Sequence, residues 1–285
     1  MGSGRKIGAK PDQDHACIAF PSICPFEAAA HPFRIVRFAA GTDTILPRNP
    51  FEPDTLLPLQ DTPRTPPSES DARLKNGGPG KECPHCPRLV AFRAESREAH
   101  PDWHNAPVPS FGAHDAKALI VGLAPGLKGA NRTGRPFTGD YAGDLLYGML
   151  GKYGFTEGDY RASPEDGLRL VDCRITNAVR CVPPGNKPTP SEIRACGQFL
   201  KAEIAAMPKL RFLLALGLVA HNAVLAAFGL KRSPYPFRHG ACYALPNGLL
   251  FASSYHCSRY NTNTGRLTEV MFEDVIREMR AQLYP

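Results

Sequence analysis

The chain is predicted to fold as an α/β protein, a three-layer α/β/α sandwich around a central, mainly parallel sheet. Two features predict it. Short apolar runs of strand length alternate with longer segments of helical periodicity. The apolar runs are unbroken rather than alternating, as befits strands covered on both faces. The first is Ala118–Val121, ALIV. Behind it, GDLLYGMLGKYGF sets Leu145, Leu146, Met149 and Leu150 at helical spacing. Residues 169–179, RLVDCRITNAV, are predicted as a second strand ending in a polar turn. In PTPSEIRACGQFLKAEIAAM, Thr189 and Glu192 form a capping box, with Pro190 at the first helical position. FLLALG (Phe212–Gly217) is a third strand and LVAHNAVLAAFG the helix after it. Leu249–Ser258 is a fourth strand running into a polar loop, and LTEVMFEDVIREMRAQL is a closing amphipathic helix.

In such sheets the loops leaving the carboxyl ends of the strands build the site. The three chemically unusual loops, 122–140, 177–188 and 254–266, all leave predicted strands in that way.

The first 80 residues differ from the rest. They hold twelve of the 29 prolines and show no period of 2 or 3.6, which predicts a disordered or loosely packed extension. Residues 81–285 are then the folded part. The net charge of +7 belongs there too, because residues 1–80 carry nine basic and nine acidic side chains. A basic folded region points to an anionic partner, most commonly nucleic acid. The start has no continuous apolar core of a secretory signal. The longest apolar run, Phe212–Ala220, is far short of the roughly 20 residues of a membrane span. A soluble, cytoplasmic protein without a membrane partner is expected.

Nine cysteines in a reducing compartment suggest metal or chemistry rather than disulfides. Cys83-Pro-His-Cys86 is a CxxC, and Cys181 and Cys196 form a second, wider pair. Four thiolates can hold structural zinc or an iron–sulfur cluster, and the spacing leaves both open. A redox dithiol is disfavoured, because KNGGPGKE before the motif is no strand. Cys17, Cys24, Cys173, Cys242 and Cys257 are read as ordinary cysteines.

The loop GLAPGLKGANRTGRPFTGD (122–140) has neither GxxxxGK[ST] nor GxGxxG, so nucleotide binding is disfavoured. Its small residues, Gly122 and Ala124 among them, let backbone N–H groups approach a ligand. Phe137 can stack on a planar ring or plug the core. Asp140, the loop's one carboxylate, can hold a water or cap the following helix. Asn177 offers a donor and an acceptor matching one edge of a base, or forms a turn. His256 can donate to a developing oxyanion or be an ordinary loop residue. Arg259, Tyr260 and Arg266 lie in a basic, aromatic-bearing loop, read as flexible and suited to phosphate and a disrupted base stack.

Three blocks, GLAPGLKGANRTGRPFTGD, NAVRCVPPGNKPTPSE and SYHCSRYNTNTGRL, together with the four cysteines, resemble the uracil-DNA glycosylase superfamily, most closely its type-b, family 5 members. Leu123 stands where family 4 relatives usually have an acid. The third motif reads His256-Cys257-Ser258, with Cys where the family usually has Pro. The resemblance covers about Cys83 to the C-terminus. It implies a structural 4Fe-4S cluster on Cys83, Cys86, Cys181 and Cys196, with zinc as the alternative. It implies that Phe137 stacks on a flipped base, Asn177 reads its edge, His256 faces the departing base and Asp140 orients water. The expected protein is a monomeric, nucleoid-associated, monofunctional glycosylase. It would excise uracil, with hypoxanthine and xanthine as further substrates, and leave an abasic site. The rival expectation is a non-catalytic, metal-stabilised nucleic-acid binder.

Overall fold

The computed structural model describes residues 78–285, so all but the last three residues of the predicted extension lie outside the described part. Five strands form one sheet. They are β1 (Ala118–Gly122), β4 (Cys173–Asn177), β5 (Phe212–Leu216), β6 (Cys242–Ala244) and β7 (Leu250–Ser254). Their order is β4-β1-β5-β7-β6. The first four run parallel, and β6 closes the edge antiparallel to β7.

Every residue of β1, β4 and β5 is buried, as their unbroken apolar runs require. Alternate residues serve opposite layers. Ile120, Ile175 and Leu214 pack with α3 (Tyr141–Lys152) and α7 (Glu269–Leu283), through Leu146, Leu150, Phe272 and Ile276. Leu119, Val121, Leu213 and Phe251 pack with α4 (Pro190–Ala205) and α5 (Leu218–Ala227), through Leu200 and Val224. The result is the predicted three-layer arrangement.

Local features depart from the sequence reading or sharpen it. The predicted strand over 169–179 is two strands. β3 (Arg169–Leu170) pairs with β2 (Thr156–Glu157) in a separate hairpin, and β4 starts only at Cys173. The chain turns between them at Asp172, whose φ is +51°. Of the predicted segment Leu249–Ser258, the strand part is Leu250–Ser254, and the polar loop follows where β7 loses its partner. The segment after Cys86 is a helix, α1 (Pro87–Ala99), whose polar sequence hides its periodicity; a one-turn helix, α2 (Ala130–Thr133), lies within the loop after β1.

Helix α4 begins at the predicted capping box. Glu192 N donates to Thr189 Oγ1 at 3.3 Å, and Thr189 N donates to Glu192 Oε2 at 2.7 Å. Arg88 of α1 donates to both oxygens of that same carboxylate, at 2.8 and 2.7 Å. One glutamate thus caps α4 and fastens α1 to it.

Candidate active site

The carboxyl ends of β1, β4, β5 and β7 share one edge of the sheet, and the three unusual loops leave from it. Gly122 ends β1 directly opposite Asn177, the last residue of β4. A Cβ on Gly122 would lie 2.4 Å from Asn177 Oδ1 and 2.5 Å from Phe137 Cζ. Only glycine lets those two side chains close over the strand end. The Phe137 ring lies near the His256 ring, with centroids 5.8 Å apart and planes 25° from parallel. Gly122, Phe137, Asn177 and His256, predicted from three separate loops, therefore form one group. Ala124, half-buried just beyond Gly122, also packs beside the cysteine-bearing cluster.

Asn177 is 3% exposed, and its Oδ1 has no hydrogen-bonding partner. A buried amide oxygen left unpaired costs roughly 1–3 kcal/mol, so it is normally kept only where something else satisfies it.

Phe137 is buried with φ +53°, a left-handed conformation unusual for an aromatic residue. Its neighbours hold it there. Tyr160 OH donates to Phe137 O at 3.2 Å, and Tyr147 OH donates to Pro136 O at 2.7 Å. Arg135 beside it is buried, not a solvent-facing cation of the loop. It forms a two-point pair with Asp166 and lies over the rings of Phe111, Tyr147 and Tyr160. Nothing in the sequence marks Asp166, which is 31 residues away.

Asp140 fills the capping role considered for it. It is the N-cap of α3, Oδ1 accepting from Gly143 N at 3.2 Å. Its Oδ2 projects over the loop, 2.4 Å from where a Cβ on Gly129 would be. Burial pushes its carboxyl above the usual range, against the pull of the Gly143 and Ala142 amides. His256 is pushed the other way: burial lowers its imidazole to about 4, so it is neutral near pH 7.

The third loop is built more rigidly than predicted. Cys257 is fully buried, and its thiol donates to Ala142 O at 3.5 Å, docking the loop beside Asp140. Asn261 Nδ2 donates to His256 O at 2.8 Å. Residues Arg259–Asn263 form a short helix, α6, capped by Ser258, which corrects the flexible-loop reading. Tyr260 projects from it, 73% exposed. Arg259 and Arg266 are also exposed, held over Tyr141 and Tyr255 at 5.2 and 4.8 Å.

Cys83, Cys86, Cys181 and Cys196 line a single pocket behind this edge, walled by Leu89, Val179 and Phe199. Arg93 Nη1 donates to Cys181 Sγ at 3.1 Å, and Arg180 N donates to Cys196 Sγ at 3.3 Å. Four sulfurs, N–H groups aimed at them and an apolar wall fit an iron–sulfur cluster. Among the described residues, no three Cys, His, Asp or Glu side chains are grouped as around a single ion.

A family model, the uracil DNA glycosylase superfamily, matches residues 109–280. The chain belongs to the uracil-DNA glycosylase superfamily. Its similarity is to the type-5 branch in particular. It is 49% identical to a type-5 uracil-DNA glycosylase of Thermus thermophilus, over 70% of this chain and 92% of that one. It is 42% identical to a type-5 enzyme of Mycobacterium bovis, over 70% and 77% of the two chains. A type-4 uracil-DNA glycosylase of Pyrobaculum aerophilum matches less well, 33% identical over 57% of this chain and 69% of that one.

Proposed function

We propose that this chain is a DNA repair glycosylase that excises uracil from DNA and leaves an abasic site. The observation that carries the reading is the buried, unpaired Oδ1 of Asn177 beside the Phe137 and His256 rings. A flipped base supplies what that group lacks: a planar face for Phe137 and a polar edge for Asn177.

Flipping costs a few kcal/mol, and stacking on Phe137 offsets about 1–3 of them. The N–C1′ bond then breaks, its electron pair leaving with the base and positive charge developing on the sugar. Asn177 Nδ2 and the neutral His256 ring donate toward the charge gathering on the base, alongside loop N–H groups near Gly122 and Ala124. Asp140, as carboxylate, stabilises the cationic sugar and orients the water that adds at C1′, and the proton that water loses passes to the base anion to give the free base. Arg259, Tyr260 and Arg266 meet the DNA beside the gap left by the base.

Cys83, Cys86, Cys181 and Cys196 would hold a 4Fe-4S cluster, which supplies no chemistry to the reaction and cross-links α1, α4 and the loop after β4. None of the described helices is long and apolar enough to cross a membrane. The protein acts as a monomer on nucleoid DNA in the cytoplasm. Hypoxanthine and xanthine share the polar edge that Asn177 would read and are further substrates.

The test is strand cleavage of labelled duplexes bearing one uracil, one hypoxanthine or neither, with and without alkali. Alkali-dependent cleavage of the damaged duplexes alone is expected. DNA binding without cleavage would favour a non-catalytic binder.

A further inference from the structure

Asn177 Oδ1 bonds to nothing, so no partner at that atom sets the side chain's depth or angle. Packing over Gly122 beside Phe137 and the backbone on either side set them instead. Arg174 stands three residues before Asn177 and Arg180 three residues after, and both guanidiniums reach one carboxylate. Arg174 Nε donates to Glu203 Oε1 at 2.7 Å, and Arg180 Nη2 donates to Glu203 Oε2. Arg180 Nη1 also donates to Ser110 Oγ at 2.6 Å, and that hydroxyl lies 2.8 Å from Thr176 Oγ1, next to Asn177. Glu203 is 0% exposed, Arg180 1% and Arg174 6%. Burial pushes the Glu203 carboxyl up, but the two arginines outweigh it, so it stays ionised.

Such a network is weak as a source of stability, since desolvating three charges offsets most of their attraction. Its consequence here is geometric. Helix α4 carries Glu203 and, two turns earlier, Cys196, which accepts from Arg180 N at 3.3 Å. The segment from Arg174 to Arg180 is thus tied to α4 at both ends, with Asn177 at its midpoint.

We infer that Glu203 is the positioning residue for base reading: by clamping Arg174 and Arg180 it holds the Asn177 amide where it meets the edge of the flipped base. This rests on the role proposed above for Asn177.

The test compares Glu203→Gln with Leu283→Ala, a cavity at the opposite, amino-terminal edge of the sheet near Phe212 and Leu250. Both are assayed where circular dichroism shows them folded. One readout is kcat and KM on uracil and hypoxanthine duplexes. The other is the Asn177 side-chain amide resonance, with free uracil titrated in. Glu203→Gln is expected to lower kcat roughly ten- to a hundredfold, the scale of an ångström-sized misplacement, to change the uracil-to-hypoxanthine ratio and to move the resonance. Leu283→Ala should do none of these. Equal losses in the two variants, or an unmoved resonance in Glu203→Gln, overturn the inference. If Glu203→Gln does not fold, Thr176→Val cuts only the Ser110 relay and decides. A fall of about threefold, one hydrogen bond's worth, with a shifted ratio supports the clamp, and no change overturns it. A wild-type protein that releases no base fails the functional reading instead, and the resonance alone then judges the clamp.

Discussion

Arg135 grips Asp166 at two points, Nη1 to Oδ1 and Nη2 to Oδ2, both at 2.7 Å. Their side chains are 6% and 0% exposed. Two residues beyond Arg135, the chain takes up the left-handed turn at Phe137. The pair is therefore the foundation on which the proposed stacking ring stands.

Removing one partner strands the other as a buried charge. Arg135→Ala is expected to cost about 3–5 kcal/mol of stability, read as a fall in the denaturant midpoint. Arg135 holds the Asp166 carboxyl well below its ordinary range, against the opposing effect of burial. A depressed carboxylate stabilises the fold above its unfolded pKa of about 4 and stops doing so as pH falls toward its lower folded value. The wild type should lose stability over that acid range, and Asp166→Asn should lose less across it.

Asp140 combines a cap with a proposed chemical role, and one substitution separates them. Asparagine caps a helix as well as aspartate but carries no charge. Asp140→Asn should leave the melting temperature nearly unchanged and lower kcat by about 10²–10⁴ on a uracil duplex. Near-normal turnover would remove Asp140 from the mechanism.

The pH profile of kcat/KM tests both titratable groups. Asp140 must be ionised to orient water, and burial raises its pKa. The rate should therefore fall on the acid side, with an inflection above the ordinary carboxylate value of about 4. His256, lowered to about 4, is neutral throughout the neutral range. No inflection should appear near 6.5, the ordinary imidazole value. A clear one there, absent in His256→Ala, would show that the ring titrates normally and works as a cation.

Phe137→Ala should cost about 1–3 kcal/mol in kcat/KM, the range of base–aromatic stacking.

Much of this was legible in the sequence, for identifiable reasons. Buried parallel strands must be continuously apolar, so ALIV and FLLALG announced β1 and β5. Polar residues crowded after strand ends then marked the edge where Gly122, Asn177 and His256 meet. The capping box announced the start of α4 because its chemistry is local. What stayed hidden was set at a distance. The partners of Arg135 and Glu203 lie 31, 29 and 23 residues away in the chain, so no local pattern marks either residue. Residues 169–179 read as one strand because nothing local shows that Asp172 takes a positive φ.

The four-cysteine pocket yields a direct physical expectation. Protein purified without oxygen should be brown, with iron and labile sulfide in about equal amounts, as a 4Fe-4S cluster requires. Cys196→Ser should lose the colour and lower the melting temperature. A colourless protein carrying stoichiometric zinc would replace the cluster with a structural zinc site.

Whether Asn177 recognises the base is decided by the release of free uracil, measured by mass spectrometry, from a uracil-bearing duplex by the wild type and by Asn177→Ala. Release by the wild type, with a loss of roughly tenfold or more in the folded variant, is predicted, since one well-placed polar contact in a dry site is worth about 1.4 kcal/mol or more. Equal release by the two proteins would mean that Asn177 and its unpaired Oδ1 have no part in recognising the base.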